Sequence, residues 1–467
     1  MEKNVVYEKK LNTNERTHAK SPASNISIIA RIIGDVSADA LREVIKKMQI
    51  RYPILNAHVK TKESEIWLLG NGNMEIPLKV IPRGSDNHWK EQILKEHKIP
   101  FSFKEGPLIR FILLYSSEIS DLIIFSQHII CDGLSLAYLA RDIMVHLEDP
   151  FKGVKKLPSA SKFDENIIPD DIKPNLSLRL FGWIIRKKWE KDEVIFDFQD
   201  FNELHTVFWK KYDYEAHLYE LSKEHTKAFV SASHKHLVTV NSALIAAFAL
   251  AQNKLDIDSH RNLTDYASAV NLRDELKKPI GEQFGLFAGG VSFTYEFKDE
   301  MNFWDAAKAV YDEINPEDAK EDALISTLNK FKIPPSLIEA QIFAAFGHLI
   351  PPDSPSYNKI QEFLNDDKNM AIKMAQKKLS SKNRTFMTQI MTNLGKLDFP
   401  EQYGDLHLKN LILMPSCSPY TELVLGVVTQ GGTLCITLNH MESTIKTKNV
   451  LKIKEIANEI IMNAIKQ

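Results

Sequence analysis

The sequence has 467 residues, of which 44% are hydrophobic and 26% charged, and its formal net charge is −2 at pH 7. This composition is that of a globular protein, and the near-zero charge excludes the overall basic bias of nucleic-acid-binding proteins. The length predicts roughly two to three domains.

Cysteines and the N-terminus give expectations about the compartment. Cys131, Cys417 and Cys435 are too few and too widely spaced for a disulfide framework or a zinc site, and they fit a reducing cytoplasm. Residues 1–14 are polar and charged, unlike a signal peptide, and no apolar run approaches the roughly 18 residues that a membrane helix needs. We therefore expect a cytoplasmic monomer without metal or nucleic acid, and leave peripheral membrane contact open.

Strands and helices alternate in the first third of the chain. Ser37 is a good N-cap for a predicted helix over 38–51, which Tyr52 and Pro53 end. Helix 134–147 carries a continuous apolar face. Strands are predicted by alternating or apolar runs at 24–34, 54–59, 66–69, 107–115 and 121–125.

The most informative stretch is 126–133, Ser-Gln-His-Ile-Ile-Cys-Asp-Gly, where polar residues interrupt an apolar run between a strand and a helix. Strand ends commonly present catalytic groups to a cleft. His128 is the only histidine with Asp four residues later, and with Gly133 the chance expectation is about 0.05. Here a neutral imidazole could act as a general base. The alternative is a core histidine bonded to a backbone carbonyl, with Asp132 and Gly133 as ordinary turn residues.

The middle of the chain, 151–203, is predicted to be a linker because Pro158, Pro169 and Pro174 punctuate a polar stretch. Inside it, 178–192 predicts a basic amphipathic helix, with Trp183 and Trp189 among arginines and lysines. Such a helix can lie on a membrane. The favoured interpretation is a helix docked across two lobes with a solvated basic face.

The second half repeats the strand-and-helix pattern. Helices are predicted at 222–233, 239–252, 302–314, much of 319–366, and 443–467. Strands are predicted at 214–221, 265–272, 291–297, 386–393, 406–414, 423–430 and 433–439. The Gly-rich segment 284–290 lacks the spacing of a nucleotide-binding loop. The similar strand-helix-strand order in the two halves predicts two similar α/β lobes, over 1–150 and 204–467.

Several strings, in their order along the chain, resemble the chloramphenicol-acetyltransferase-like superfamily, which includes condensation domains, alcohol acetyltransferases and polyketide-associated acyltransferases. The central match is Gln127 to Gly133, the family's His-His-x-x-x-Asp-Gly signature with the first His replaced by Gln. The other matching strings are 34–42, 51–57, Gly-Pro-Leu-Ile-Arg at 106–110, Val-Asn-Leu-Arg at 270–273, and Thr-Asn-Leu-Gly at 392–395.

The resemblance implies two lobes in a V, each a mixed, largely antiparallel sheet with helices, and a tunnel between them. It implies acyl transfer from a thioester, on CoA or on the phosphopantetheine of an acyl carrier protein, to a small alcohol or amine, with no tightly bound cofactor. By the same resemblance His128 is the general base, Asp132 pairs with Arg273, and Gly133 leaves room for the pantetheine arm. Thr392 and Asn393 would line the tunnel, although ordinary turn chemistry also explains them.

Departures from the family pattern leave the acceptor open. Gln127 replaces the first histidine, and neither the C-terminal motif of plant acyltransferases nor a fused carrier domain is found. We expect an ester-forming acyltransferase of secondary metabolism. The alternatives are a stand-alone condensation enzyme that forms an amide with a carrier-bound substrate, and an inactive relative that only binds a carrier.

Overall fold

The structure is a computed structural model that describes residues 6–62, 65–72, 74–158, 163–173, 176–255, 263–298, 300–380 and 387–466. The side chains of 176–179, 316–317 and 378–380 lie outside the described part, as do residue 386 of the predicted strand 386–393 and residue 467 of the predicted terminal helix. All further statements concern the described residues.

Fifteen strands form the sheets of the described chain. In chain order they are β1 (Tyr7–Lys10), β2 (Asn25–Ile33), β3 (Ala57–Lys62), β4 (Glu65–Gly70), β5 (Leu78–Pro82), β6 (Ile109–Tyr115), β7 (Ile119–Gln127), β8 (Tyr214–Leu221), β9 (Asp265–Asn271), β10 (Ala288–Thr294), β11 (Met387–Leu397), β12 (Gln402–Tyr403), β13 (Leu406–Met414), β14 (Thr421–Gln430) and β15 (Thr433–Met441).

Fourteen α-helices accompany these strands in the described chain. In chain order they are α1 (Thr13–Ala19), α2 (Ala38–Arg51), α3 (His88–His97), α4 (Gly133–Glu148), α5 (Leu176–Asp192), α6 (Phe198–Lys211), α7 (Lys223–Lys235), α8 (Val240–Asn253), α9 (Phe303–Glu313), α10 (Pro316–Lys332), α11 (Pro335–Phe346), α12 (Tyr357–Asn365), α13 (Met370–Ser380) and α14 (Thr447–Ile465).

Two six-stranded sheets form the framework, and both are mixed and largely antiparallel, as predicted. The first has the order β12-β13-β2-β7-β6-β5, and only the β5–β6 pair is parallel. The second has the order β10-β9-β11-β14-β15-β8, with β11 parallel to both of its neighbours. A small third sheet, β1-β4-β3, accompanies them. The α/β class and the two-sheet architecture are confirmed, while the tunnel stays a prediction.

The centre of the first sheet is the antiparallel pair of β2 and β7. Ile28 faces Ile124 in the register, and both strands are buried nearly throughout because both of their faces are covered. Helix α4 starts six residues after β7 ends and packs on β2 with the apolar face that its periodicity predicts. The turn that carries His128 is therefore held between a central strand and a buried helix.

Segment 402–414 lies within the predicted second lobe but completes the first sheet. Strand β13 pairs antiparallel with β2 from His407 opposite Ile33 to Met414 opposite Ser27. Helix α6 likewise runs across residue 203, where the linker was expected to end. Sheet membership therefore does not follow the predicted ranges along the chain.

Some elements carry weak sequence signals and are absent from the prediction. They are β1, α1, β5, α3, α6, α13 and the two-residue strand β12. Residues 54–59, expected as one strand, begin as a 3₁₀ turn over Pro53–Asn56 before β3, because Pro53 fits the first position of such a turn. No helix of the described chain is both long and apolar enough to cross a membrane.

Candidate active site

His128 lies in the turn between β7 and α4, with its side chain only partly covered. Its Nδ1 is 2.7 Å from the carbonyl oxygen of Cys131. A carbonyl can only accept, so Nδ1 carries the proton and the lone pair of the neutral ring is on Nε2. The backbone N–H of His128 donates to the carbonyl of Ser24 at 3.1 Å, which fixes the other side of the turn.

Burial lowers the pKa of His128 below its ordinary value, although the Asp132 carboxylate and the Cys131 carbonyl act in the opposite direction. The ring is therefore neutral at pH 7. A neutral imidazole of fixed tautomer with its Nε2 lone pair free has the form that a general base requires.

Asp132 does not contact the His128 ring; its carboxylate is directed at the second lobe. It receives the Arg273 guanidinium through two bonds, NH1 to Oδ2 at 2.8 Å and NH2 to Oδ1 at 2.9 Å. It also caps α4 by accepting from Ser135 N, and it accepts from Phe287 N. Both partners of the ion pair are buried, 4% exposed for Asp132 and 2% for Arg273. Asp132 thus joins the histidine turn to the other lobe.

Burial alone acts to raise the pKa of Asp132, but Arg273 and the two N–H donors outweigh it and hold the pKa below the ordinary value. The carboxylate is therefore ionised at neutral pH and has no proton to exchange with His128. This electrostatic state supports a bracing role for Asp132.

A second set of bonds joins α4 to the same loop of the second lobe. The Ser135 hydroxyl donates to the Gly285 carbonyl at 2.9 Å, and the backbone N–H of Asp132 donates to that carbonyl at 3.1 Å. Two turns further along, Arg141 forms two 2.6 Å bonds to Glu282. The sequence marks 284–290 only as Gly-rich, and the structure shows that this loop holds the histidine turn.

Gly133 is in close contact with β11 of the second lobe. A Cβ on Gly133 would lie 2.8 Å from Cδ2 of Leu394 and 3.3 Å from Cδ1 of Leu413. Leu394 follows Thr392 and Asn393 in β11, so this stretch of the strand lies beside the motif. The close approach of the lobes alone accounts for a glycine at this position.

Thr392 and Asn393 are partly exposed in the middle of β11, and neither contacts His128 within hydrogen-bond range. Asn393 donates to Asn241 Oδ1 at 3.3 Å, while its own Oδ1 accepts from Gly395 N at 2.8 Å. Gly395 has φ +74° where the pairing with β14 shifts register, so the predicted turn is a bulge inside the strand.

His18 is a neighbour of His128 that sequence reasoning missed. Its ring stacks on that of His128, with centroids 4.4 Å apart and planes inclined by 27°. Its Nδ1 lies 3.2 Å from the Ser24 hydroxyl, so Ser24 contacts both histidines. Burial lowers the pKa of His18 well below its ordinary value, and the charges of His128 and Lys330 add to this effect.

Helix α1 carries His18 and is anchored by buried charges. Glu339 of α11, 1% exposed, accepts from Arg16 Nε at 2.8 Å and from Lys20 Nζ at 2.7 Å, on either side of His18. A capping box between Asn12 and Glu15 begins the helix. That Asn-x-x-Glu spacing is the sequence signal that could have revealed α1.

Metal chemistry has no support in this part of the molecule. Over the described ranges, no group of three or more His, Cys, Asp or Glu side chains could hold a metal ion. The three cysteines are free and buried, and burial raises the pKa of the Cys131 thiol beside the histidine turn.

The fold and the histidine turn between two sheets define a two-lobed enzyme of the condensation and acyl-transfer type. Residues 10–162 match the family model described as a condensation domain. Residues 213–339 match the model of the phthiocerol/phthiodiolone dimycocerosyl transferase C-terminus. The two halves of the chain are thus similar to condensation domains and to polyketide-associated acyltransferases, which both have the chloramphenicol-acetyltransferase-like fold.

Solved structures show the same fold over nearly the whole chain. Polyketide synthase associated protein 5 from Mycobacterium tuberculosis is 14% identical, with 98% of this chain and 99% of that chain covered and a TM-score of 0.60. The trichothecene 15-O-acetyltransferase from Fusarium sporotrichioides is 10% identical, with 98% and 95% covered and a TM-score of 0.64.

A third similar structure is a variant of the starter condensation domain of rhizomide synthetase in complex with C8-CoA and Leu-SNAC. It is 11% identical, with 98% of this chain and 94% of that chain covered and a TM-score of 0.56. No curated protein matches the sequence. The family models thus show a similarity to acyl-transfer and condensation domains in each half of the chain, and the structures show the fold.

Proposed function

We propose that this protein transfers an acyl group from a thioester, on CoA or a carrier protein, to an alcohol, with His128 as the general base. The observation that carries the proposal is the neutral His128 ring, whose Nδ1–H is held by the Cys131 carbonyl while Nε2 keeps its lone pair. The rhizomide neighbour, bound to C8-CoA, supports a thioester donor.

In the proposed reaction, Nε2 of His128 removes the hydroxyl proton as the acceptor oxygen attacks the thioester carbonyl. A C–O bond forms, the tetrahedral intermediate collapses, and the C–S bond breaks. The proton on Nε2 then passes to the departing thiolate, so the ring returns to its neutral state. A positioned base of this kind contributes roughly 100- to 10,000-fold.

The other residues act on geometry in this proposal. Asp132 and Arg273 brace the turn, since all the bonds of the carboxylate run away from the ring. His18 is a positioning residue, because its ring covers one face of His128. Thr392 and Asn393, in the strand that approaches Gly133, are proposed to line the space for the thioester.

Amide formation with a carrier-bound substrate is the second candidate, because the condensation-domain match spans the whole histidine motif. An inactive carrier-binding relative is less well supported, since His128 has the protonation state and tautomer of a working base. These two alternatives make different predictions for thiol release with alcohols, with amines and with neither.

The deciding experiment incubates the protein with a panel of acyl-CoAs and acyl carrier proteins, with alcohols or amines, and follows released thiol and product mass. We expect alcohol-dependent thiol release that His128→Ala lowers at least about 100-fold with donor binding nearly unchanged. His225→Ala, an exposed histidine on α7, is the matched control. Unchanged turnover in His128→Ala would contradict the general-base role, and release with amines alone would favour the condensation reaction.

A further inference from the structure

Helix α5 exposes four large apolar side chains to solvent. Phe181, Leu180, Trp183 and Ile184 are 60%, 59%, 58% and 49% exposed. Isolated exposed apolar residues are common, but four within five consecutive positions form a contiguous patch, and such patches mark interaction sites.

The helix is nevertheless firmly docked through its opposite face. Trp189 is 1% exposed, and its Nε1 donates to the Ser336 hydroxyl at 2.9 Å. Ile185 is 7% exposed, and Gly182 lies so close to α10 that a Cβ there would be 3.2 Å from Lys332 Cβ. Because the inner face is occupied in this way, the outer patch is presented on a fixed support.

Basic residues follow the apolar patch along the same outer face. Lys187, Lys188 and Lys191 are exposed and lie seven residues after Leu180, Phe181 and Ile184 respectively. Seven residues are two helical turns, so each lysine lies on the line of its apolar counterpart, about 10 Å further along the axis. Glu190, seven residues after Trp183, is also exposed and pairs with Lys187 at 2.9 Å, so the outer face changes along its length from apolar to predominantly, not purely, basic.

The neighbouring helix α13 extends this surface. It packs on α5 and exposes Lys373, Lys377 and, at 39%, Met374. The whole chain has a formal charge of −2, so this concentration of lysines is local. We call the surface formed by the outer faces of α5 (180–191) and α13 (373–377) the apolar–basic face.

We propose that the apolar–basic face docks the enzyme onto an anionic lipid surface. Aromatic and leucine side chains beside lysines are typical of interfacial helices, whose apolar residues enter roughly 5–10 Å below the head groups. The 10 Å offset on α5 matches that depth: the end around Trp183 enters the acyl boundary while Lys187, Lys188 and Lys191 stay at the anionic head groups. In this orientation the axis of α5 is tilted to the lipid surface, with the end around Trp183 lying deeper than the lysines.

A lipid surface fits this face better than an acidic carrier protein. The acidic helix of a carrier would complement the lysines but would leave Phe181 and Trp183 in water. A lipid boundary offers an anionic layer and an apolar layer side by side, in the order that α5 requires. On a lipid surface, both the apolar part and the basic part of the face therefore have a partner.

The test is flotation of the full-length protein with vesicles of phosphatidylcholine alone, and with vesicles in which about a third of the lipid is phosphatidylglycerol. We expect binding to the anionic vesicles that falls as salt rises. The triple variant Lys187→Gln, Lys188→Gln and Lys191→Gln is expected to lower the partition about 100-fold, since each lysine near such a surface contributes about fivefold. Phe181→Gln with Trp183→Gln should weaken binding at least about tenfold.

The matched control replaces three exposed lysines elsewhere, Lys227, Lys448 and Lys452 on α7 and α14, with Gln. This variant loses the same charge, so its partition should change less than about threefold. Equal loss in both triple variants would show nonspecific attraction and overturn the proposal.

Two other outcomes would also overturn it. One is no vesicle binding together with lysine-dependent, Trp183-independent binding of an acidic acyl carrier protein. The other is no vesicle binding together with concentration-dependent self-association that Trp183→Gln removes, as measured by sedimentation. Thiol release by the same variants in detergent-free buffer separates this test from that of the acyl-transfer activity, because soluble donors do not require the lipid surface.

Discussion

The imidazole rings of His18 and His128 are stacked, with their centroids 4.4 Å apart, although 110 positions separate them in the sequence. The hydroxyl of Ser24 contacts His18 and its carbonyl accepts from the backbone of His128. One residue therefore sets the position of both rings. His18, held by α1, covers a face of the proposed base that solvent would otherwise reach.

The first prediction concerns this stacking. In His18→Ala, water replaces the covering ring, so the pKa of His128, which burial lowers, should rise toward its ordinary value. The acidic limb of the pH profile of kcat/KM should then move to higher pH, and kcat should fall about 10- to 100-fold with donor KM little changed. His18→Phe keeps a ring in place and should retain most of the rate. An unchanged acidic limb in His18→Ala would rule out this positioning role.

The second prediction concerns the ion pair between the lobes. Asp132→Asn leaves the buried Arg273 charge without a carboxylate, which should cost about 3–5 kcal/mol of unfolding free energy. Asp312→Asn, which breaks the exposed pair with Lys308, should cost under about 1 kcal/mol. Chemical denaturation measures both. If Asp132→Asn abolishes turnover but unfolds like the wild type, the carboxylate has a role in the chemistry instead.

The third prediction separates two explanations of Gly133. Gly133→Ala places a Cβ 2.8 Å from Leu394 Cδ2 and should destabilise the protein by about 1–3 kcal/mol. Adding Leu394→Ala should restore most of that loss, because the obstructing methyl group is gone. The resemblance instead implies clearance for the pantetheine arm. A donor KM that stays raised in the restored double variant would favour that explanation.

The fourth prediction is a loss of stability in acid. Burial lowers the pKa of His97 to about 3 and that of His205 to about 4, so both stay neutral in the fold. The unfolded chain takes up these protons below about pH 6.5. The stability that the two neutral histidines contribute should therefore be fully present above that pH. It should fall as the pH drops toward 4, by about 1.4 kcal/mol per pH unit for each histidine.

Its measurement is denaturant unfolding at a series of pH values. His97→Phe keeps a ring against Phe125 and Trp209. It should reduce the dependence of the unfolding free energy on pH by about 1.4 kcal/mol per pH unit, the contribution of one histidine. His225→Phe, on an exposed position, is the control. Parallel pH profiles for wild type and His97→Phe would contradict the assignment.

The sequence suffices for much of the fold and for part of the site. Apolar periodicity with a Ser37 cap predicts α2 at its observed bounds, and the position of Arg273 in the string 270–273 is enough to pair it with Asp132. Such features depend on local pattern or on family order. His18 and Leu394 were not predicted as neighbours of the motif, because contacts across the two sheets leave no periodic trace.

Position along the chain also fails to predict which sheet a strand joins, because β13 lies in the second half of the chain but pairs in the first sheet. β13 pairs with β2 over residues that are almost 400 positions away. No window of the sequence contains both strands, so their pairing cannot be read from pattern. The same separation explains why the predicted lobe boundaries and the observed sheets differ.

This distant pairing has a consequence for how the protein is made. During synthesis β2 and β7 leave the ribosome long before β13 has been made. Until then, β2 is an unpaired edge strand of the first sheet, with nine residues of which most are apolar. Unpaired apolar edges are templates for pairing between chains, and distant pairings form slowly. Any fragment that ends before Leu406 will therefore tend to aggregate rather than form an independent N-terminal lobe.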